Sequence, residues 1–521
     1  MPSGLRTTVV ATAPSKTPEP GDRRGLSTFL IPFVLTWLLS SLWSLATPVF
    51  AAPDENAHAT KAIAQLRGEI AGHAQEGSRF PVVDLPDSYR YAPGIVCFAY
   101  HPETAADCGV ELGVSTGTPW FDTWVSAYNP VYYYVVGWPS LFLGGSAGIY
   151  GMRLMSALLC AAFLALAFQS ALAARRSRWM PAALAFLVGP MVVFLCGTIS
   201  PQGLEVAAAA ALWTALPRLL DSFSVPFAGR RWTLWAVVVA AAVALALARA
   251  SGPLWVVIVV VACLLMAGRA PTTALFRGRS GWPWIGGIAV AGIFSLGWTL
   301  LGGGLGGQAS TSDVPLVNGS FLAGAWAMIR NTPRFVAESA GVFGWLDTPL
   351  PGLVYAVYFG ALALLVALAF GTADRRGRWT VVIALAVAAV VPVLVQAASI
   401  SQTGLIWQGR YGMFLYVGVI IIAGRVLSTS APDLDGASVR ISGVIMGLLA
   451  AFQLAAFVFA LRRYVVGDDD HITKMVTSPE WQPPGTWPVL VVGAVVVELA
   501  LSVWLARMAV VRARERDVID A

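Results

Sequence analysis

A chain of 521 residues that is 57% hydrophobic and only 12% charged, with a mean hydropathy of +0.70, is excluded from the ordinary soluble globular class and reads as a polytopic membrane protein. The 34 Lys and Arg against 28 Asp and Glu give a net charge of +6 and a pI near 9.2. That positive charge clusters in loops between apolar runs, so topology accounts for it and nucleic acid is not an implied partner.

From the N-terminus, residues 1–27 are rich in Pro, Ser, Thr and Arg and predict a disordered cytoplasmic segment. The apolar run at 28–50 is of span length rather than a short h-region, which predicts an uncleaved anchor. Arg6, Lys16, Arg23 and Arg24 precede it and hold the N-terminus in the cytoplasm. The stretch Pro53-Asp54-Glu55-Asn56-Ala57-His58 then emerges at the outer surface. Carboxylates at the mouth of a span are costly unless solvated or used. Asp54 is therefore a candidate general base for an acceptor hydroxyl, with Glu55 orienting the acceptor or a metal. Alternatively, Asp54 or Asn56 caps a helix over 57–70, and both roles can coexist. His58 either orients Asp54 and contributes to a sugar-binding set with Trp345 and Asp347, or stands exposed on that helix, the plainer reading.

The long loop 51–149 follows. Cys97 and Cys108 share it, and an oxidising compartment permits a disulfide between them. Zinc is disfavoured, since only His101 lies nearby and no C-x-x-C spacing occurs. Cys160, Cys196 and Cys263 fall in apolar runs and read as small buried hydrophobes.

Further apolar runs lie near 131–146, 150–173, 179–198, 203–220, 232–249, 253–268, 283–302, 351–371, 379–398, 411–428, 441–461 and 486–508. If 131–146 spanned, the loop Ala174-Arg175-Arg176-Ser177-Arg178 would lie outside and every later basic loop would be inverted. The run is also short, aromatic and broken by Pro139, as a juxtamembrane helix should be. The remaining runs give twelve spans with both termini inside, a single transmembrane domain over 28–510 and a tail at 511–521. The outer side carries two large loops, 51–149 and 303–350, the second opening with a Gly-rich stretch after Gly302. Loops of that length are either functional or disordered, and their aromatic content predicts order.

Three further outer features carry chemistry. Glu205, one turn into its span after Thr198-Ile199-Ser200-Pro201-Gln202, can face a polar cavity and assist the base, or snorkel to the interface. Arg249 and Arg410 (in Trp407-Gln408-Gly409-Arg410-Tyr411) defy the positive-inside trend, with Arg153 at the outer start of its span as a third, weaker candidate; a guanidinium fork suits a phosphate oxygen pair, the alternative being snorkelling to the interface. Trp345 and Asp347 can stack on and hydrogen-bond a sugar ring, as can Trp120, Trp124 and Trp407, although tryptophan is also the ordinary interface residue. Asp468-Asp469-Asp470-His471 reads as a solvated loop. No P-loop, dinucleotide fingerprint, G-x-S-x-G or H-E-x-x-H occurs, so ATP-driven transport, soluble nucleotide-sugar chemistry and metalloprotease chemistry lack support.

Taken in order, Asp54-Glu55, Asn129-Pro130-Val131-Tyr132-Tyr133-Tyr134, Arg153-Leu154-Met155-Ser156-Ala157 and Gln408-Gly409-Arg410-Tyr411 resemble GT-C glycosyltransferases of the protein-mannosyltransferase and aminoarabinose-transferase type. Pro53-Asp54-Glu55 with His58, Ser200-Pro201-Gln202-Gly203-Leu204-Glu205 and Gly344-Trp345-Leu346-Asp347 look more closely like a bacterial family of predicted membrane proteins catalogued as a domain of unknown function. The resemblance covers residues 28–465. It implies an α-helical GT-C-like fold in the bacterial plasma membrane and inverting transfer of a sugar from a polyprenyl-phosphate donor on the extracytoplasmic side. The acceptor would be a polysaccharide, lipid or protein hydroxyl, Asp54 would match the base, and Arg410 would line the lipid-phosphate pocket. One departure stands out: where such enzymes often carry a second Asp, this chain reads Ser200-Pro201-Gln202, with Glu205 as a substitute. No cofactor is required by the pattern, and a divalent metal is compatible with it. The alternatives are a transporter or flippase of a lipid-linked glycan, or a non-catalytic cell-envelope assembly protein. The first would need charge within spans, where Glu498 is the main exception to an uncharged interior.

Overall fold

The computed structural model describes residues 20–520 except 93, 95, 115–119, 175, 225–229, 303–313 and 431–434. The first half comprises α1 (Pro20–Ala46), α2 (Glu55–Gln65), α3 (Pro130–Gly137), α4 (Gly145–Leu172), α5 (Met180–Leu187), α6 (Pro190–Cys196), α7 (Pro201–Asp221), α8 (Arg231–Ala248) and α9 (Gly252–Ala267). The second comprises α10 (Arg269–Arg277), α11 (Trp282–Leu301), α12 (Phe321–Gly341), α13 (Gly352–Thr372), α14 (Arg375–Thr403), α15 (Met413–Ser430), α16 (Asp435–Val466), α17 (Ile472–Thr477) and α18 (Trp487–Asp520). Among the described residues, strands are confined to two short antiparallel pairs. One is β1 (Val82–Asp84) with β2 (Trp120–Asp122), and the other β3 (Val342–Phe343) with β4 (Thr348–Pro349).

The protein is an all-α polytopic membrane protein. Ten helices are long and apolar enough to cross a bilayer, or eleven if α9 and α10, bent 120° at Gly268, count as one. The expected continuous run at 179–198 is instead two helices. Pro190 lacks an N–H and its ring excludes the preceding helical turn, so α5 stops and α6 restarts. The pair nonetheless joins opposite faces of the bundle. Trp179 N donates to Ser428 Oγ at one end (3.1 Å), and Gly197 O accepts from Ser44 Oγ at the other (2.7 Å). Run 131–146 does not span: α3 has 8 residues, starts with Pro130 under an Asn129 cap (Val131 N to Oδ1, 3.1 Å), and gives way to a single 3-10 turn.

Two boundaries differ from expectation. Helix α1 begins at Pro20, inside the segment expected to be disordered, and residues 1–19 of that expectation lie outside the described residues. Helix α18 continues to Asp520 through the expected tail. The Gly-rich stretch at 303–307 also falls outside the described residues. After it, the second large loop forms α12, started by a Ser320 cap on Ala323 N at 3.3 Å.

The bundle packs around α7, whose Ala207–Ala211 run is fully buried and lets α4, α8, α9 and α15 approach closely. Gly418 of α15 serves the same end: a methyl group there would overlap the Trp213 indole, whose Nε1 donates to Phe414 O at 2.9 Å. The described parts of the loops 51–149 and 303–350 and the connections near 197–200, 249–251, 404–412 and 467–486 gather at one face, linked by the contacts described next.

Candidate functional site

Asp54 occupies the N-cap position of α2, yet makes no capping hydrogen bond. Its backbone is left-handed (φ 63°, ψ 3°), a conformation that costs energy outside glycine but is tolerated by Asp. Its side chain serves tertiary contacts: Oδ2 lies 3.0 Å from Arg410 Nη2, and Oδ1 accepts from Trp124 Nε1 at 3.3 Å. The carboxylate is 33% exposed, whereas the Arg410 side chain is 5% exposed. The capping interpretation therefore applies to the position of Asp54 and not to its side chain, and α2 begins at Glu55 rather than 57.

Arg410 is held from three sides. Its Nε donates to Gln408 Oε1 (2.6 Å), its guanidinium sits 5.3 Å from the Tyr411 ring centre, and Gly409 N donates to Glu338 Oε2 of α12 (2.7 Å). Glu338 is itself anchored by Arg334 Nε at 2.7 Å. A methyl group on Gly409 would overlap the Phe335 carbonyl, so only glycine lets this turn press onto α12.

The Tyr411 ring also lies 5.0 Å from the Arg249 guanidinium, placing one phenol between two arginines. Arg249 follows α8 and reaches Glu205 Oε2 from Nη1 at 3.7 Å. Burial works against its charge, but Tyr128, Glu205 and Tyr411 more than offset this and hold the guanidinium above its usual range. Asp54, Arg410, Arg249 and Glu205 thus form one chain of charges. Glu205 joins it through Arg249 and has no direct pairing with Asp54.

Glu55 and Arg153 do something else. Both side chains are 0% exposed. Arg153 Nε and Nη2 meet Glu55 Oε1 and Oε2 at 2.7 and 2.5 Å, and its remaining N–H groups donate to Ser44 O, Thr47 O and Pro48 O. All five donors are therefore spent, and Glu55 Oε1 also accepts from Ile199 N at 3.0 Å. The geometry thus runs against two expectations: Glu55 is fully buried with its carboxylate committed to Arg153 and Ile199 N, and Arg153 has no donor left for a lipid phosphate.

His58 is not exposed, and although its backbone N donates to Asp54 O at 3.1 Å, its ring makes no hydrogen bond to the Asp54 side chain. It is buried, its Nδ1 is 2.8 Å from Tyr133 Oη, and its ring stacks on Tyr133. Burial, reinforced by Arg249, Arg410 and Lys61, outweighs the pull of Asp54 and lowers its pKa to about 3. One turn on, Lys61 donates to Ile70 O (2.9 Å) and Ser126 O (2.5 Å), and burial lowers its pKa to about 8.

The expected sugar-binding pair divides. Trp345 Nε1 donates to Phe50 O (3.1 Å), so the indole braces the turn that delivers Asp54, and its partly exposed ring faces Tyr100 at 5.9 Å. Tyr100 is 59% exposed, and its phenol is raised by partial burial and by the Asp54 and Asp347 carboxylates. Asp347 itself is only 5% exposed and committed: it accepts from Tyr100 N (2.9 Å) and Thr348 Oγ1 (2.9 Å) and faces Arg463 Nη2 at 3.4 Å. It is a loop clamp, and the aromatic partner of Trp345 is Tyr100.

Arg463, on α16, was not singled out by sequence. It is 1% exposed and binds Phe98 O, His101 O and Thr104 O, the loop closed by the Cys97–Cys108 disulfide (S–S 2.04 Å). Of the other tryptophans, Trp124 reaches Asp54, Trp407 is buried, and Trp120 is an exposed strand residue. Asp470 pairs with Lys474 at 2.6 Å. Among the described residues no three His, Cys, Asp or Glu side chains converge as a metal site would require. A cavity of about 470 Å³ opens at the opposite face, beside the Asp221–Arg425 pair (2.6 Å).

No curated protein matches the chain. A family model, described as "Predicted membrane protein (DUF2142)", matches residues 37–419, a span that contains Asp54, Glu205, Arg249, Glu338 and Arg410 and stops short of Arg463. The chain belongs to this family of predicted membrane proteins.

Proposed function

We propose that this protein is an inverting membrane glycosyltransferase. It moves a sugar from a polyprenyl-phosphate donor to a hydroxyl of a polysaccharide, lipid or protein at the extracytoplasmic face of a bacterial plasma membrane, with both termini cytoplasmic. The observation that carries this reading is the side chain of Asp54, turned away from the helix it could cap and onto an arginine 356 residues later in the chain. A strained residue that forgoes its local bond for a charged tertiary partner is a signature of a site under functional constraint.

In the reaction, the acceptor oxygen attacks the anomeric carbon as the carbon–oxygen bond to the lipid phosphate breaks. The acceptor proton passes to Asp54, and the bonding electron pair leaves with the phosphate. Arg410 releases Asp54 to receive that phosphate, and Arg249, across the Tyr411 ring, adds a second positive charge as negative charge grows on the leaving group. Trp345 and Tyr100 offer ring faces to a sugar beside Asp54. Glu205 tunes Arg249 rather than acting as a second base. A divalent metal has no evident cluster of ligands among the described residues, and no step above is assigned to one.

The test is transfer from a panel of polyprenyl-phosphate sugars by membranes holding wild type or Asp54→Asn at equal abundance. Activity lost in the variant supports the reading. Activity that survives removes Asp54 from the role of base. Silence from both proteins transfers weight to a transporter or an assembly protein.

A further inference from the structure

A second set of groups with carbohydrate-binding chemistry lies on the same face, away from Asp54. Two adjoining depressions of about 350 and 490 Å³ share Ala106, Gly109, Val110, Ser146 and Trp481. They lie between the disulfide-closed loop, the start of α4 and the 478–486 connection between α17 and α18. Trp481 is half-buried and meets Tyr464 edge-on at 6.4 Å. Its backbone N donates to Val465 O at 3.1 Å, which fixes the indole against the end of α16. Tyr150 lines the same groove, its ring 5.2 Å from the Arg153 guanidinium and so held by the buried Glu55–Arg153 pair.

Around these two rings stand Asp107, Glu111, Ser146 and Gln482. The side chains of Asp107, Glu111 and Ser146 are exposed, and none has a hydrogen bond or ion pair among the described residues. Both walls are rigid. Arg463 ties α16 to the carbonyls of Phe98, His101 and Thr104, Asp468 N donates to Pro102 O at 3.0 Å, and the Cys97–Cys108 bond closes the loop.

A fixed indole and phenol bordered by unspent carboxylate and hydroxyl acceptors is the chemistry that holds a polyhydroxylated ring: apolar sugar faces stack, and sugar hydroxyls donate to the carboxylates. Two acidic side chains at the rim repel an anionic chain. We infer that this groove is a second glycan-binding site, taking a neutral or amino-bearing oligosaccharide and rejecting a carboxylated one. It does not depend on the reading of Asp54 as a base. If that reading holds, the groove would grip part of an acceptor glycan remote from the reacting hydroxyl.

The test uses the full chain in lipid nanodiscs with three hexasaccharides: neutral mannohexaose, cationic hexaglucosamine and anionic hexagalacturonate. Binding is followed by saturation-transfer NMR and by titration. The expected result is that the first two bind and the third does not, and that Trp481→Ala raises Kd about tenfold or more. Trp481→Phe should keep most of the affinity, and Asp54→Asn should keep all of it. Glu111→Lys, at an exposed loop position that does not threaten folding, should weaken hexaglucosamine and admit hexagalacturonate. Three results would overturn the proposal: neither of the first two sugars binding the wild type, binding indifferent to Trp481→Ala and to Glu111→Lys, or binding abolished by Asp54→Asn. Binding by a wild-type protein that transfers none of the sugars offered would count against the glycosyltransferase reading alone.

Discussion

Asp54 and Glu55 are adjacent carboxylates with opposite environments: Asp54 meets Arg410 at 3.0 Å and is 33% exposed, while Glu55 meets Arg153 at 2.5 Å and is 0% exposed. The left-handed backbone at Asp54 and the helical one that follows send the two side chains apart, one to the loop face and one into the bundle. Their substitutions should therefore fail in different ways.

Asp54→Asn keeps the size of the side chain and its contact with Trp124 but removes the proton acceptor. Transfer should fall at least about 100-fold, with abundance in the membrane and thermal stability near wild type. Arg410→Lys keeps a charge without the fork and should retain a fraction of activity that Arg410→Gln does not. Measured rates at matched protein levels decide this, and full activity in Asp54→Asn would contradict it.

Glu55→Gln should behave as a folding variant. It leaves Arg153 buried without its countercharge, a change that typically costs about 3–5 kcal/mol. The expected readout is low abundance and a lowered Tm in detergent. The double variant Glu55→Gln with Arg153→Met should be more stable than Glu55→Gln alone. A single variant with wild-type stability would return Glu55 to the list of catalytic candidates.

Glu338 acts on Arg410 through the backbone of Gly409. Glu338→Gln exchanges an acceptor for a group that can rotate to restore it and should be mild. Glu338→Ala and Gly409→Ala should each displace the turn and reduce transfer about tenfold or more, with the loss appearing in kcat more than in KM for the acceptor. Equal activity across the three would remove the turn from the positioning of Arg410.

The burial of His58 gives a pH dependence with a definite sign. Burial pushes its pKa in the fold down to about 3, below the ordinary histidine value of 6.5, so between those values the unfolded chain binds the extra proton. Stability from this group is complete above pH 6.5 and is lost as pH falls toward 3. Tm measured from pH 7 to 4 should decline, and His58→Gln should flatten that decline. A parallel curve for the variant would assign the acid sensitivity elsewhere.

Glu498 offers a test between the proposed transfer and solute transport. It is 5% exposed within α18, and the nearby group that bonds it is Ser502 Oγ at 3.4 Å. Glu498→Gln should leave glycosyl transfer unchanged. Solute uptake in proteoliposomes that disappears with this variant would favour transport instead.

The membrane class and the non-spanning character of 131–146 were legible in the chain alone, because hydropathy and charge bias act along it and can be read one segment at a time. The sequence also marked Asp54, Arg249 and Arg410, since charged residues at the ends of spans are costly wherever they point. Which carboxylate of the Asp54-Glu55 pair is available, however, depends on partners 356 and 98 residues away, and no local pattern encodes them. The same holds for Glu338 on the unanticipated helix α12, for Arg463 behind the disulfide loop, and for Asp347, whose carboxylate is committed to Tyr100 N, Thr348 Oγ1 and Arg463. These assignments emerge from the folded packing alone, because a buried charge is defined by the groups that surround it and not by its neighbours in sequence.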